Sequence, residues 1–144
     1  MRSIRKSRSL EIEKMRMEKV LKGEFITSYR DLKVFQRSYK LALELHKASL
    51  LFPKMEQYVL GDQIRRSSRS ICANIAEGFM RQCGSKAEWK RFLIMSLGSA
   101  EETIMWMDFA RDLGYVESTQ SYIWQQELTE ISKMLHKLRE KTDA

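Results

Sequence analysis

Only two cysteines, two histidines, one proline and six glycines occur in 144 residues, and each scarcity removes a class of protein. Cys72 and Cys83 are too few for a disulfide scaffold, and with His46 and His136 far apart they match no zinc-ligand spacing. No apolar run approaches the roughly 20 residues that span a bilayer. The basic N-terminus lacks the apolar centre and small-residue cleavage pattern of a secretory signal, so cytoplasmic residence without membrane contact is the default expectation. Neither histidine belongs to a Glu-x-x-His pair, which argues against the di-iron chemistry some helical bundles host. A glycine-rich phosphate loop, a nucleophile elbow and a paired acid and base are missing too, so a non-enzyme without cofactor or metal is expected.

What is abundant is leucine, methionine, lysine, glutamate and arginine, which with a single proline, Pro53, favours helices throughout. An apolar fraction of 43% and a charged fraction of 31% are those of a soluble globular chain. The length suits one domain with a real core. The net charge of +7 and a pI near 9.5 favour a polyanionic partner, nucleic acid before an anionic membrane surface. More than half of that excess lies in residues 1–24, where Arg2, Arg5, Lys6, Arg8, Lys14, Arg16, Lys19 and Lys22 face only four glutamates. Leu10, Met17 and Leu21 give this arm near-helical spacing but few anchors, as in a marginal helix that orders on contact.

Beyond the arm the periodicity predicts four helices. The first runs from about Asp31, as N-cap, to Phe52, where Pro53 stops it. The second covers about Glu56 to Arg81. Ser85 with Glu88 forms a capping box for the third, about Lys86 to Leu113, which ends at Gly114. The fourth starts near Ser118 or Thr119 and carries Trp124, Leu128, Ile131, Leu135 and Leu138 on one face. Short connections between long helices imply antiparallel neighbours, hence an all-α, up-down-up-down four-helix bundle over 29–141 behind a basic N-terminal arm, 1–28.

Two of these helices are apolar on both sides. The third collects Trp89, Leu93, Ser96, Ala100, Ile104 and Met107 on one face and Ile94, Met95, Met105, Trp106 and Phe109, with Gly98, on the other. The first repeats this, with Phe35, Tyr39, Leu43, His46 and Leu50 facing in, and Val34, Leu41, Leu45 and Phe52 facing out. One core cannot bury both stripes, so Val34, Leu41, Leu45, Ile94, Met105, Trp106 and Phe109 are expected at an oligomer interface. The competing expectation is that the arm folds back over one stripe.

The second helix is the richest segment. Leu60, Ile64, Ser67, Ser68, Ile71, Ile75 and Phe79 share one face, Arg65, Arg66 and Arg69 one flank, and Gln63, Ser70, Asn74 and Glu77 the other. The arginines suit bidentate phosphate contact, together with Arg5, Lys6 and Arg8 of the arm; an intersubunit ion-pair set is the competing use. Asn74 and Glu77 stand one turn apart, as a polar site requires, although such pairs more often fix register, and Glu77 can pair with Arg81. Gly78, on the core side, permits close helix approach. His46 is expected as a core histidine and His136 on an exposed edge.

Arg30-Asp31-Leu32-Lys33-Val34-Phe35-Gln36, Phe52 to Leu60, Gln63-Ile64-Arg65-Arg66 with Ser70-Ile71, and above all Asn74-Ile75-Ala76-Glu77-Gly78 form an ordered set of motifs. With Gly98 to Glu102 and Leu113-Gly114-Tyr115, they resemble the four-helix-bundle proteins encoded within intervening sequences of bacterial 23S rRNA genes. The resemblance spans about Tyr29 to Lys141 and implies an antiparallel bundle assembling as a ring-like homopentamer. It extends to the accessory variability proteins of diversity-generating retroelements, which by analogy implies RNA and a reverse transcriptase as partners. Phe35 stands where the family often has tryptophan, Arg69 where an aliphatic residue is usual, and the arm lies outside the match.

Two functions follow as expectations. The first is a non-enzymatic, oligomeric RNA-binding accessory protein, serving a reverse transcriptase or structured rRNA or intervening-sequence RNA. The second is a structural protein-protein scaffold with no nucleic-acid role.

Overall fold

The computed structural model describes residues 2–21, 26–82 and 84–143, and within the first of these stretches the side chains of 6–15. Six α-helices and one 3-10 turn occur among the described residues. They are α1 (Arg2–Leu21), the turn Tyr29–Asp31, α2 (Lys33–Ser49), α3 (Lys54–Gln57), α4 (Leu60–Arg81), α5 (Lys86–Asp112) and α6 (Ser118–Asp143). No strand occurs among the described residues.

Local chemistry places most boundaries where the sequence suggests. Ser85 accepts a hydrogen bond from the Glu88 amide and starts α5. Gly114, at φ 78°, ends it, because the Tyr115 amide must turn back to the Ala110 carbonyl at 2.8 Å and only glycine takes that backbone freely. The entry to α2 differs from expectation. Asp31 is not an N-cap: Ser28 caps the 3-10 turn, and Asp31 closes a capping box by accepting from the Ser28 amide at 3.0 Å. The expected second helix is two helices, α3 and α4, broken at Tyr58 and Val59.

Paired contacts fix the direction of the four long helices. Ser49 and His46 of α2 meet Arg65 and Arg69 of α4, and Ile71, Ser70 and Ser67 of α4 meet Ser96, Ser99 and Thr103 of α5. Arg37 and Glu44 of α2 meet Glu127 and Trp124 of α6. In each pair the numbers rise on one helix as they fall on the other, so neighbours are antiparallel. With α5 also packed on α6, the four close into an up-down-up-down bundle around Leu45, Ile64, Ile71, Leu93, Met107, Leu128 and Leu135.

The face assignment succeeds on α4 and α5 and is reversed on α2. Leu60, Ile64, Ser67, Ser68, Ile71 and Ile75 are buried as the pattern predicts, and so are Trp89, Leu93, Ser96, Ala100 and Met107. On α2, however, Val34, Leu41 and Leu45 are 2%, 3% and 0% exposed within a single chain, while Tyr39, Leu43 and Leu50 face outward. Those three residues are core, and the expectation that they form an oligomer interface is corrected. The buried face of α2 also carries Ser38, Ala42 and Ser49, whose small size lets two neighbouring helices approach. Ser38 and Ser49 satisfy their hydroxyls by donating to the Val34 and His46 carbonyls, each at 2.7 Å. The bulky aromatics of the opposite face stack on one another instead, Phe35 on Tyr39 at 6.0 Å.

α2 and α6 are joined by a two-pronged ion pair, Arg37 Nε and Nη2 donating to the two oxygens of Glu127, each at 2.7 Å. Hydrogen bonding from Arg37, helped by the charges of Arg37 and Lys40, holds the Glu127 carboxyl below its usual range against the opposing effect of desolvation. A carboxyl depressed in the folded state contributes stability above its unfolded value and loses it as pH falls through the folded one. Both partners are about a third exposed, so solvent screening limits the contribution to about 1 kcal/mol. Urea unfolding at pH 7 and pH 3 should therefore show a smaller acid-induced loss for Glu127→Gln than for the wild type; equal losses would remove the pair from the acid response.

Candidate nucleic-acid interface

The three arginines on the α4 flank have three different environments. Arg65 is half-buried and faces inward: Nη1 donates to Ser49 Oγ at 2.7 Å and Nη2 to the Gln57 carbonyl at 2.6 Å. Gly61 leaves the room this requires, since a Cβ there would lie 3.0 Å from Arg65 Nη1 and 3.2 Å from the Glu56 carbonyl oxygen. Arg65 thus clasps the end of α2 and the short α3 onto α4. Both of its guanidinium arms are engaged within the chain, which leaves Arg65 less free for a phosphate than Arg66 or Arg69.

Arg66 points away from the bundle, its side chain 73% exposed and 3.8 Å from Asp62. A pair that long and that wet is worth little, so the guanidinium stays available to an anion. Arg69 is exposed and lies 2.9 Å from His46 Nδ1. An arginine only donates, so Nδ1 accepts and the ring proton sits on Nε2. His46 is accordingly half-exposed at the α2–α4 groove rather than in the core, a correction that the reversal of the α2 face explains. The groove, about 370 Å³, is otherwise lined by Tyr39, Ala42, Leu43 and Cys72. Burial pushes the Cys72 thiol up to about 11, so it stays protonated at neutral pH and is a poor nucleophile.

In the arm, Lys6 and Arg8 are exposed, as is every described side chain from Lys6 to Met15. That stretch covers neither apolar stripe. Arg5 lies outside the residues whose side chains are described.

The polar flank of α4 serves packing. Asn74 is buried and donates to the Ser70 carbonyl and hydroxyl at 2.9 and 3.1 Å, while Glu77 accepts from Arg81 at 3.0 Å. The two do not share a site. Gly78 lies where α4 meets α5, and a Cβ there would come within 2.5 Å of Phe92 Cβ. A ladder of small hydroxyls runs along the same contact: Ser96 donates to the Ile71 carbonyl at 2.9 Å, Ser99 to Ser70 at 2.8 Å and Thr103 to Ser67 at 2.9 Å. The sequence reading missed this ladder, although Ser67 and Ser70 recur at helical spacing opposite Ser96, Ser99 and Thr103. The outer stripe of α5 is where the pattern put it: Ile94, Met105 and Phe109 are exposed, and Trp106, half-buried, packs on Phe109 at 5.7 Å. His136 is exposed as expected.

Among the described residues no group of three or more His, Cys, Asp or Glu could hold a metal ion, and no helix is long and apolar enough to cross a membrane.

Residues 30–137 match the 23S rRNA-intervening sequence proteins. The chain belongs to that family. The match begins at Arg30, so α1 stands outside the family's shared region and its cations are additional to it. A crystal structure of a protein with unknown function, from the S23 ribosomal protein family of Bacteroides thetaiotaomicron VPI-5482, superposes with a TM-score of 0.66 at 29% identity, over 74% of this chain and 95% of that one. No curated protein matches the chain. In this member of the 23S rRNA-intervening sequence family, Asn74 and Gly78 of the Asn-Ile-Ala-Glu-Gly element are therefore bundle-packing residues, buried against their own helix and against α5.

Proposed function

We propose that the protein is a non-enzymatic RNA-binding accessory protein that works as a homo-oligomer, its target being structured rRNA or intervening-sequence RNA. The observation that carries this reading is the arm, a basic helix on which every described side chain is exposed, so that Lys6 and Arg8 are presented to solvent. Arg66 and Arg69 add outward cations on the bundle, and the net charge of +7 gives the whole molecule a long-range attraction for phosphate. The family takes its name from intervening sequences of 23S rRNA, which puts rRNA first among the targets to test. Repetition of these cations around an oligomer would convert weak local contacts into multivalent ones. The exposed stripe of Ile94, Met105 and Phe109 with Trp106 supplies a surface for that assembly.

Phosphate contacts release counterions, so the logarithm of the RNA association constant should fall by about 0.7 to 0.9 per contact for each unit of log salt. Anisotropy titrations of a labelled rRNA hairpin between 50 and 300 mM salt are expected to give a slope steeper than about −3. The paired substitution Arg66→Glu with Arg69→Glu should weaken binding while leaving the oligomer mass unchanged. Absence of RNA binding even at the lowest salt would leave the protein-protein scaffold reading.

A further inference from the structure

Where α2 begins and α6 ends, a cleft of about 480 Å³ opens at one end of the bundle. Its floor is apolar, formed by Leu32, Val34, Met134 and Leu138, and its rim carries Lys33, Lys137 and Lys141. All three lysines are exposed, and none has a carboxylate within ion-pair distance among the described residues. Several cations nearby are paired, Arg37, Arg81, Lys90 and Lys133 with Glu127, Glu77, Asp143 and Glu130; what distinguishes the three lysines is that they converge on one apolar cleft.

The cluster is locally unfavourable. Lys137 and Lys141 are like charges one turn apart. Lys33 is the first residue of α2, where the helix dipole repels a cation, and Leu32 before it makes no side-chain capping bond. Only Lys141, in the last turn of α6, is accounted for by its own helix. An external anion resolves all three terms at once, since lysines and the uncapped amides of α2 would then face the same charge.

We propose that this cleft binds a nucleotide unit of single-stranded or looped RNA, with the phosphates on Lys33, Lys137 and Lys141 and a base or ribose against the apolar floor. The arm is compatible with the assignment, since α1 touches the Tyr29–Asp31 turn that leads into Leu32 at the edge of the cleft. Arg66 and Arg69 lie toward the opposite end of the bundle, on the half of α4 that meets the C-terminal part of α2. The inference rests on the RNA-binding reading and narrows it to a place and to unpaired strands.

The test uses the full chain and a fluorescein-labelled single-stranded RNA. Lys33→Gln, Lys137→Gln and Lys141→Gln combined should weaken binding at least tenfold and make the salt slope shallower by about 2, three single-strand contacts at roughly 0.7 each. A control of equal charge change at the other end, Lys47→Gln, Lys54→Gln and Arg111→Gln combined, should change affinity less than threefold. Photo-crosslinking of 4-thiouridine RNA to the wild type should label the peptide containing Met134 to Lys141, a readout independent of how the variants fold. Equal losses in the two triple variants, or crosslinks confined to other helices, would overturn the cleft while leaving RNA binding intact. A wild-type protein that binds anionic vesicles but no RNA would overturn both readings.

Discussion

Gly78→Ala should destabilise the bundle by about 2 kcal/mol, even though alanine is the better helix former. The substitution gains up to about 1 kcal/mol of helix propensity. Against that, the new Cβ would lie 2.5 Å from Phe92 Cβ and 2.8 Å from Trp89 Cε3. Phe92 Cβ is tied to its backbone and cannot swing away, so α4 and α5 must separate, and overpacking of this kind costs about 1 to 3 kcal/mol. Separation also stretches the hydroxyl ladder from Ser67 to Thr103, which shares the contact, and that places the cost at the upper end. At about 2 to 4 °C per kcal/mol for a chain of this size, calorimetry should record a fall in Tm of roughly 4 to 8 °C. Gly98→Ala is the matched control. Gly98 sits in the interior of the neighbouring helix α5 with nothing within 4 Å of its hypothetical Cβ, so its Tm should stay level or rise. If the two substitutions behaved alike, close approach at Gly78 would not be what the glycine is for.

Leu45→Ala is expected to cost about 3 kcal/mol, within the range of about 2 to 5 for emptying a fully buried aliphatic site. Leu45 is 0% exposed and belongs to the central cluster with Ile64, Leu93 and Leu128. Phe109, half exposed on the outer stripe of α5, should respond in the other observable. Phe109→Glu removes no core contact, so the unfolding free energy of the protomer should move by less than about 0.5 kcal/mol, as for surface sites in general, while the mass measured by light scattering falls. The two variants thus separate a residue that holds one chain together from one proposed to hold chains to each other. A Leu45→Ala protein that kept its Tm and lost its assembly would restore the inverted face assignment of α2.

That inversion shows where the sequence stops being legible. On α4 the apolar stripe is also the buried one, because Ile64, Ile71 and Ile75 face no second apolar stripe; on α5, which carries two, the stripe of Trp89, Leu93 and Met107 is buried and that of Ile94, Met105 and Phe109 is exposed. On α2 the two stripes are nearly equal in hydrophobicity, and the bulkier one, with Phe35, Tyr39 and Leu43, looks the better core. The face that α2 buries places the small Ser38, Ala42 and Ser49 among Val34, Leu41 and Leu45, while Phe35 is only partly buried and Tyr39 and Leu43 are exposed. The same limit explains the arginines. Arg65 and Arg69 share a helical edge and look equivalent as letters. Gly61 and Ser49 give Arg65 an inward berth at 2.7 Å, while Arg69 reaches only His46 at the surface. Lys33 and Lys137 are a hundred positions apart, so no local pattern announces their meeting across the cleft.

The sequence by itself determined that the chain is helical, where most of its long helices begin and end, and that it carries the motifs of a 23S rRNA-intervening sequence protein. Those properties depend on capping residues, on Pro53 and Gly114, and on periodicity, all of which act within a turn or two of the backbone. The tertiary structure alone decided which face of α2 is core, that Arg65 is an internal clasp, and which cations are left without partners. Those outcomes depend on the distance between helices, and that distance is set jointly by side chains from all four of them.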